Sequence, residues 1–349
     1  MRAGRVILRR GTASVRFDLR LLAAAAGLAL VAFGALVASV ALGEFDIPAA
    51  DVVKTLVGAG DPSTDFIVLE LRLPRAVVAL LCGAALGLAG AVFQQVTLNP
   101  LASPDIVGVA GGASFAAIAV IVLGETSDAW SVPLAALAGA IVSGALLYGL
   151  AWKRGIQGFR LVLVGIGLAA FMQAGISYVL TEGRIFEVAE AYLWMVGSVN
   201  GSGWKEVWPL VIALVVFVPV IVALGRQLDV LQLGDDVARG LGLNVERARL
   251  GLLAAAVVLV GIAVSAAGPV GFVAFLAPHL ARRMSRATSG AGLLPLAAGA
   301  GAVLVLVADL VGRLAFAPTE IPVGIVTSVI AAPYFLLLLA RANRVGATG

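Results

Sequence analysis

Arg72 and Arg75 stand at the mouth of a Gly/Ala-rich apolar run, with Pro74 between them, and the run continues through Thr97. Guanidinium groups stay charged, so at an opening they are free to meet a partner. An arginine at the centre of a bilayer is costly, whereas one at the rim is not. The pair therefore presents fixed positive charge at the opening of a membrane-spanning segment. Near the end of another apolar run, Asp309 and Arg313 lie four apart and read as an ion pair on one helix face.

Other chemistries are excluded or weakly supported. A Walker A motif needs Gly immediately before its Lys. The only lysines, Lys54, Lys153 and Lys205, follow Val53, Trp152 and Trp204, so this chain does not hydrolyse ATP by that route. Cys82 is the single cysteine, which rules out an intrachain disulfide and a thiolate metal site. His279 is the single histidine and reads as a hydrogen-bonded structural residue near the inner interface rather than a metal ligand. No catalytic constellation or metal-ligand spacing occurs. Sparse intramembrane carboxylates argue against a proton-coupled carrier.

A polar stretch from Arg226 to Arg249 carries a different signal. Asp235 and Asp236 suit the first turn of a short helix, which Gly240 and Gly242 end. Asn244 is suited to cap a second short helix ending near Arg249. Two short helices at the membrane surface would dock another protein; a solvated loop is the plainer reading.

The elements that must position these groups are membrane helices. The 349 residues are 61% hydrophobic and 13% charged, with mean hydropathy +1.06, against roughly 25% charged residues in soluble domains. Ten spans are expected, near 20–43, 70–97, 105–124, 131–152, 161–181, 206–226, 248–267, 271–281, 292–314 and 322–340. The eighth is too short to cross alone and must be covered by protein. With the N-terminus inside, eighteen of the 24 lysines and arginines fall on the inner side, while Arg72, Arg75 and Arg313 fall outside. Both termini are therefore expected inside. The expected fold is all-α and polytopic: an Arg-rich tail over 1–19, one transmembrane domain over 20–341 with coupling helices at 234–249, and a short tail over 342–349. The net charge of +4 follows membrane sidedness and does not imply nucleic acid. The tail arginines read as an anchor on anionic membrane lipid.

Shorter motifs fill in the turns. Asn99–Asp105 reads as a tight inner turn in which Asp105 caps the third span. Gly268–His279 joins an outer turn to the short span, and Pro322 opens the last one. Trp194, Trp204 and Trp208 flank the outer loop 182–206 and read as interfacial anchors.

Seven segments in this order resemble the iron-chelate and cobalamin permeases of bacterial ABC importers, the FecCD-type family. They are Leu71–Arg75, Asn99–Ala102, Trp194–Ser198, Ala238–Gly242, Gly268–Phe272, Pro278–Arg282 and Glu320–Gly324. The resemblance covers about residues 20 to 341. It implies a ten-helix, BtuC-like bundle of the type II importer class in the bacterial cytoplasmic (inner) membrane. Two permease subunits, identical or paralogous, would enclose a translocation path. Two ATPase subunits, carrying the ATP and Mg, would dock through Gly234, Asp235, Asp236, Ala238, Arg239, Leu241 and Gly242. A periplasmic or lipid-anchored binding protein would present acidic residues to Arg72, Arg75 and Arg313. The permease itself would need no cofactor. The path would be lined mainly by spans near 76–95 and 161–180, with Asn99, Leu163, Val164, Gly165 and Gly167 as gate candidates. A ferric siderophore is the expected cargo; haem or cobalamin is the alternative, and a secondary carrier a more distant one.

Overall fold

The computed structural model describes residues 5–10, 13–43, 47–124, 128–153, 155–285 and 290–346. The N-terminal segment, expected as a tail, carries a hairpin of β1 (Arg5–Arg10) and β2 (Ala13–Asp18), paired antiparallel from Arg5 opposite Asp18 to Arg10 opposite Ala13. The alternation Val15-Arg16-Phe17-Asp18 has the period of two that suits a strand.

Helices follow in order: α1 (Leu19–Ala41), α2 (Ala49–Leu56), α3 (Pro62–Asp65), a π-helical segment (Phe66–Arg72), α4 (Leu73–Val96), α5 (Val109–Leu123), α6 (Ser131–Ala151), α7 (Gly158–Glu182) and α8 (Ile185–Met195). Then come α9 (Trp204–Ala223), α10 (Gly225–Leu231), α11 (Asp235–Gly240), α12 (Val245–Ala267), α13 (Val273–Ser285), α14 (Leu293–Leu314) and α15 (Val323–Gly346). Among the described residues seven helical stretches are long and apolar enough to cross a membrane. The shorter α5 and α13, together with α15, complete the ten expected spans.

Glycine sets the centre of the bundle. α4 is buried along most of its length and packs against α12, α13 and α14. A Cβ on Gly83 would fall onto Gly301 O, one on Gly87 onto Ala297 O, and one on Gly90 onto Ala274 O. Backbones this close gain dispersion contact that larger side chains would forbid, which is how helices associate in lipid. α4 is thus the hub of this chain, and its buried face is not free to line a path. The expectation that the span near 76–95 does so is corrected by this packing.

Two connections differ from their sequence reading. Asn99–Ala102 makes a tight turn, Ala102 N to Asn99 O at 3.2 Å, but the residues that follow climb back into the bundle beside α13. His279 Nε2 meets Pro100 O at 2.9 Å, and the Phe272 N–H bonds the Asp105 carboxylate. These two positions on the α13 side are about 10 Å apart along a helix axis. Asp105 therefore does not cap α5, which starts only after Gly108, held at φ +82°. The outer loop 182–206 contains α8, an eleven-residue helix with Ile185, Phe186 and Leu193 exposed.

Candidate functional site: an arginine cluster and an exposed apolar ridge

Pro74 sits in the first turn of α4, directly after the π-helical segment. In an i→i−5 pattern its missing N–H would have met Leu69 O. The Trp204 indole N–H takes that place at 3.0 Å, so this tryptophan is a structural donor as well as an interfacial ring. The wide turn delivers Arg72 and Arg75 to one end of the bundle.

Arg72, Arg75 and Arg313 converge there around a pocket of about 400 Å³ that also includes Glu70, Asn200 and Glu320. Arg72 Nη1 donates to Val40 O at 2.9 Å and Ala41 O at 3.0 Å. Arg313 Nη2 donates to Ser39 O at 2.6 Å and Leu42 O at 3.0 Å. The last carbonyls of a helix lack intrahelical partners and sit at its negative pole. Arginines from two other elements thus cap the C-terminus of α1. Arg75 instead forms ion pairs with Asp309, Nη2 to Oδ1 at 2.8 Å, and with Glu320, Nη1 to Oε2 at 2.9 Å. The Asp309–Arg313 pair suggested by four-residue spacing is not made; Asp309 faces α4 and takes its cation from there.

At the other end, Gly234 at φ +92° turns the chain between α10 and α11. The two short helices are α10 and α11. Asn244 caps α12 itself, accepting from Arg247 N at 3.1 Å, so the short second helix expected near Arg249 is the first turns of a long one. Asp235 is held by Arg249, and Asp236 is fully exposed beside Arg239. Ala238 is buried, and Gly242, at φ +83°, ends the turn. Leu233, Val237 and Leu241 are 58%, 51% and 64% exposed, an apolar ridge with charges beside it. Such a ridge suits a partner protein.

Sequence reasoning missed what anchors this ridge. Arg249, only 4% exposed, reaches Asp235 Oδ2 at 2.9 Å and also donates to Ile156 O in the α6–α7 connection. Gln232 Nε2 donates to Gln95 O at 2.8 Å, tying the α10 end to α4. The ridge is therefore joined to two membrane helices and one connection. Arg249 at the head of the apolar run 250–267 was the available signal.

The gate candidates divide. Asn99 Oδ1 accepts from Leu101 N at 2.9 Å and shapes the start of the re-entrant segment. Gly165 is buried against Val107 of that segment, Val164 is half-buried, and Leu163 and Gly167 face away from the bundle. α7 uses Leu161, Gly165, Leu168 and Met172 to pack inward, leaving Phe171 and Tyr178 exposed on its other face.

The sequence profile of the FecCD transport family matches residues 28–341. The chain is similar to the Fe(3+)-citrate import system permease protein YfmE of Bacillus subtilis (strain 168), 42% identical over 312 residues, which cover 89% of this chain and 93% of that one. It is also similar to the ferric enterobactin transport system permease protein FepG of Escherichia coli (strain K12), 39% identical over 303 residues, 86% of this chain and 91% of that one. A solved structure described as a metal-chelate type ABC transporter in an inward-facing conformation superposes with a TM-score of 0.79 at 26% identity, covering 92% of this chain and 99% of that one. A multi-pass helical bundle with a charged mouth at one end and an exposed ridge at the other, matched along nearly its whole length in sequence and in shape, belongs to the FecCD transport family.

Proposed function

We propose that the chain is the permease subunit of a binding-protein-dependent ABC importer of ferric siderophores in the bacterial cytoplasmic membrane. The observation that carries the reading is the exposed ridge on α10–α11, latched to the bundle by Arg249 at the end rich in positive residues. Likeness to permeases named for ferric citrate and ferric enterobactin supports the cargo.

In this reading both termini lie in the cytoplasm. Two permease subunits, the second identical or paralogous, flank the path. Two ATPase subunits, carrying ATP and Mg, bind the ridges, and Gly234 and Gly242 bound the docking element. A periplasmic or lipid-anchored binding protein docks at the outer pocket and delivers cargo at high local concentration, so the path itself needs no tight site. ATP-driven closure of the ATPases pulls on α11. The Arg249 and Gln232 contacts pass that movement to the α6–α7 connection and to α4, and the path alternates between its two openings. The exposed α7 face with Leu163 and Gly167 lines the path against the second subunit, and Asn99 with Gly165 shapes its inner closure.

The test is co-purification with the candidate ATPase, followed by ATP hydrolysis with and without binding protein. Co-purification supports the ridge as the ATPase site, and hydrolysis stimulated by the loaded binding protein supports docking at the opposite end. A chain that purifies without an ATPase under every condition contradicts the reading.

A further inference from the structure

α6 and α12 touch at mid-length and part toward each end. The contact is made by small residues: a Cβ on Gly261 would lie 2.9 Å from Ala140 Cβ and from Leu137 Cδ1. Toward the α11 end the parting leaves an apolar groove of about 340 Å³. One wall is the α6 stripe Ile141, Ala145 and Tyr148; the other is the α12 stripe Leu250, Ala254 and Val258, with Phe93 of α4 at the floor. The volume lies within the range of small-molecule pockets, but the lining is almost wholly hydrocarbon.

The rim of this groove is not hydrocarbon. Arg247 lies one turn before Leu250 and therefore at the mouth of the α12 stripe. Its side chain is exposed, and its backbone N–H is already used by the Asn244 cap. Lys153, also exposed, follows the end of α6. Among the described residues neither cation is in an ion pair. Of the nearby carboxylates, Asp235 is taken by Arg249, and Glu246 is half-buried under Gly155, whose added Cβ would meet Glu246 Oε1 at 2.6 Å. Between rim and groove, Tyr148 and Trp152 form a tilted ring pair with centroids 5.6 Å apart. Tyr and Trp settle where hydrocarbon gives way to headgroups. Groove, ring pair and cations thus follow one another in the order of acyl chain, interface and phosphate.

We infer that this groove is a binding site for one anionic phospholipid of the membrane, its acyl chain between α6 and α12 and its phosphate at Arg247 and Lys153. A basic mouth between transmembrane helices is the arrangement that recognises acidic headgroups. The site adjoins the α6–α7 connection that Arg249 holds, so the bound lipid braces the same connection that carries the α11 movement.

Bromine on an acyl chain quenches tryptophan at contact, and Trp152 stands at the groove mouth. The full chain, with its other four tryptophans replaced by Phe, is placed in phosphatidylcholine nanodiscs containing a small fraction of brominated phosphatidylglycerol or brominated phosphatidylcholine. The expected result is quenching by the phosphatidylglycerol at about fivefold lower mole fraction, the preference one cation confers near an anionic surface. Arg247→Gln should weaken the preference, and Arg247→Gln combined with Lys153→Gln should remove it. Gly149→Leu should reduce quenching by both lipids, because a Cβ at Gly149 meets nothing within 4 Å and the longer side chain fills the groove. If the tryptophan replacements prevent folding, mass spectrometry of lipids retained by the wild-type chain and by Arg247→Gln reads the same preference. Equal quenching by both lipids overturns the site in favour of unselective solvation. Absence of quenching by either overturns it in favour of a protein neighbour, such as a second permease copy, covering this face.

Discussion

Arg249 of α12 grips both carboxylate oxygens of Asp235 of α11, Nη2 to Oδ1 at 2.5 Å and Nη1 to Oδ2 at 2.9 Å, while Nη1 also holds Ile156 O. One buried guanidinium therefore fixes α11 to the connection that leads into α7. Asp235 is itself only partly covered, so the pair sits where a docked partner would shield it from water and strengthen it.

Arg249→Met should loosen that joint. A charge-assisted bond lost at a part-buried carboxylate costs about 2 kcal/mol, read as a lower thermal midpoint and faster hydrogen exchange in α11 and residues 152–157. In the assembled transporter, ATP hydrolysis should continue while uptake falls. Equal loss of both would mean the residue serves assembly rather than transmission.

Val237→Asp and Leu241→Asp test the ridge. Both side chains are more than half exposed, so the fold should hold within about 0.5 kcal/mol. ATPase co-purification should be lost. Retained co-purification with either variant would move the interface elsewhere.

Arg75→Met leaves Asp309, 3% exposed, without its bidentate partner. Breaking such a buried pair costs about 3–5 kcal/mol. Arg75→Met combined with Asp309→Leu should recover most of the loss, since the orphaned charge goes too. A double variant no better than the single would show that the pair is not what stabilises this end. Charge reversal at Arg75 is accordingly a poor probe of binding-protein docking, because it sets a carboxylate against Asp309 and Glu320.

Gly90→Ala should be among the most damaging single methyl additions in the chain. Its Cβ would fall onto the Ala274 backbone oxygen, so the cost exceeds the about 1–3 kcal/mol usual for overpacking, because backbone cannot rotate away. Gly27→Ala, where nothing lies within 4 Å, should leave expression and thermal midpoint unchanged.

The spans were legible because bilayer thickness fixes the length of apolar run that can cross it. Arg72, Arg75 and Arg313 were legible as a set because all three fall at the rim on one side. Their partners were not. Spacing along one helix suggested Asp309 with Arg313, but Asp309 belongs to Arg75, 234 positions away in sequence, and Arg313 caps α1. Pairings of that kind depend on how helices pack, which no local pattern encodes. Asn244 was correctly read as a cap, but the helix it caps runs on to Ala267, since nothing local marks where a short helix merges with a span. The re-entrant segment escaped notice for the opposite reason. Asn99, Pro100 and Pro104 signal a break in helix, and whether a broken segment turns away or climbs back depends on α13 offering Phe272 N and His279.

The most direct test of the importer account is uptake. The chain is reconstituted in vesicles with its ATPase and binding protein, and accumulation of a radiolabelled ferric siderophore is followed with and without ATP. The account predicts accumulation that requires ATP and the binding protein together and is abolished by Leu241→Asp. Accumulation driven by a proton or sodium gradient in the absence of ATP would contradict it; ATP-dependent uptake of haem or cobalamin instead of the siderophore would keep the importer and change its cargo.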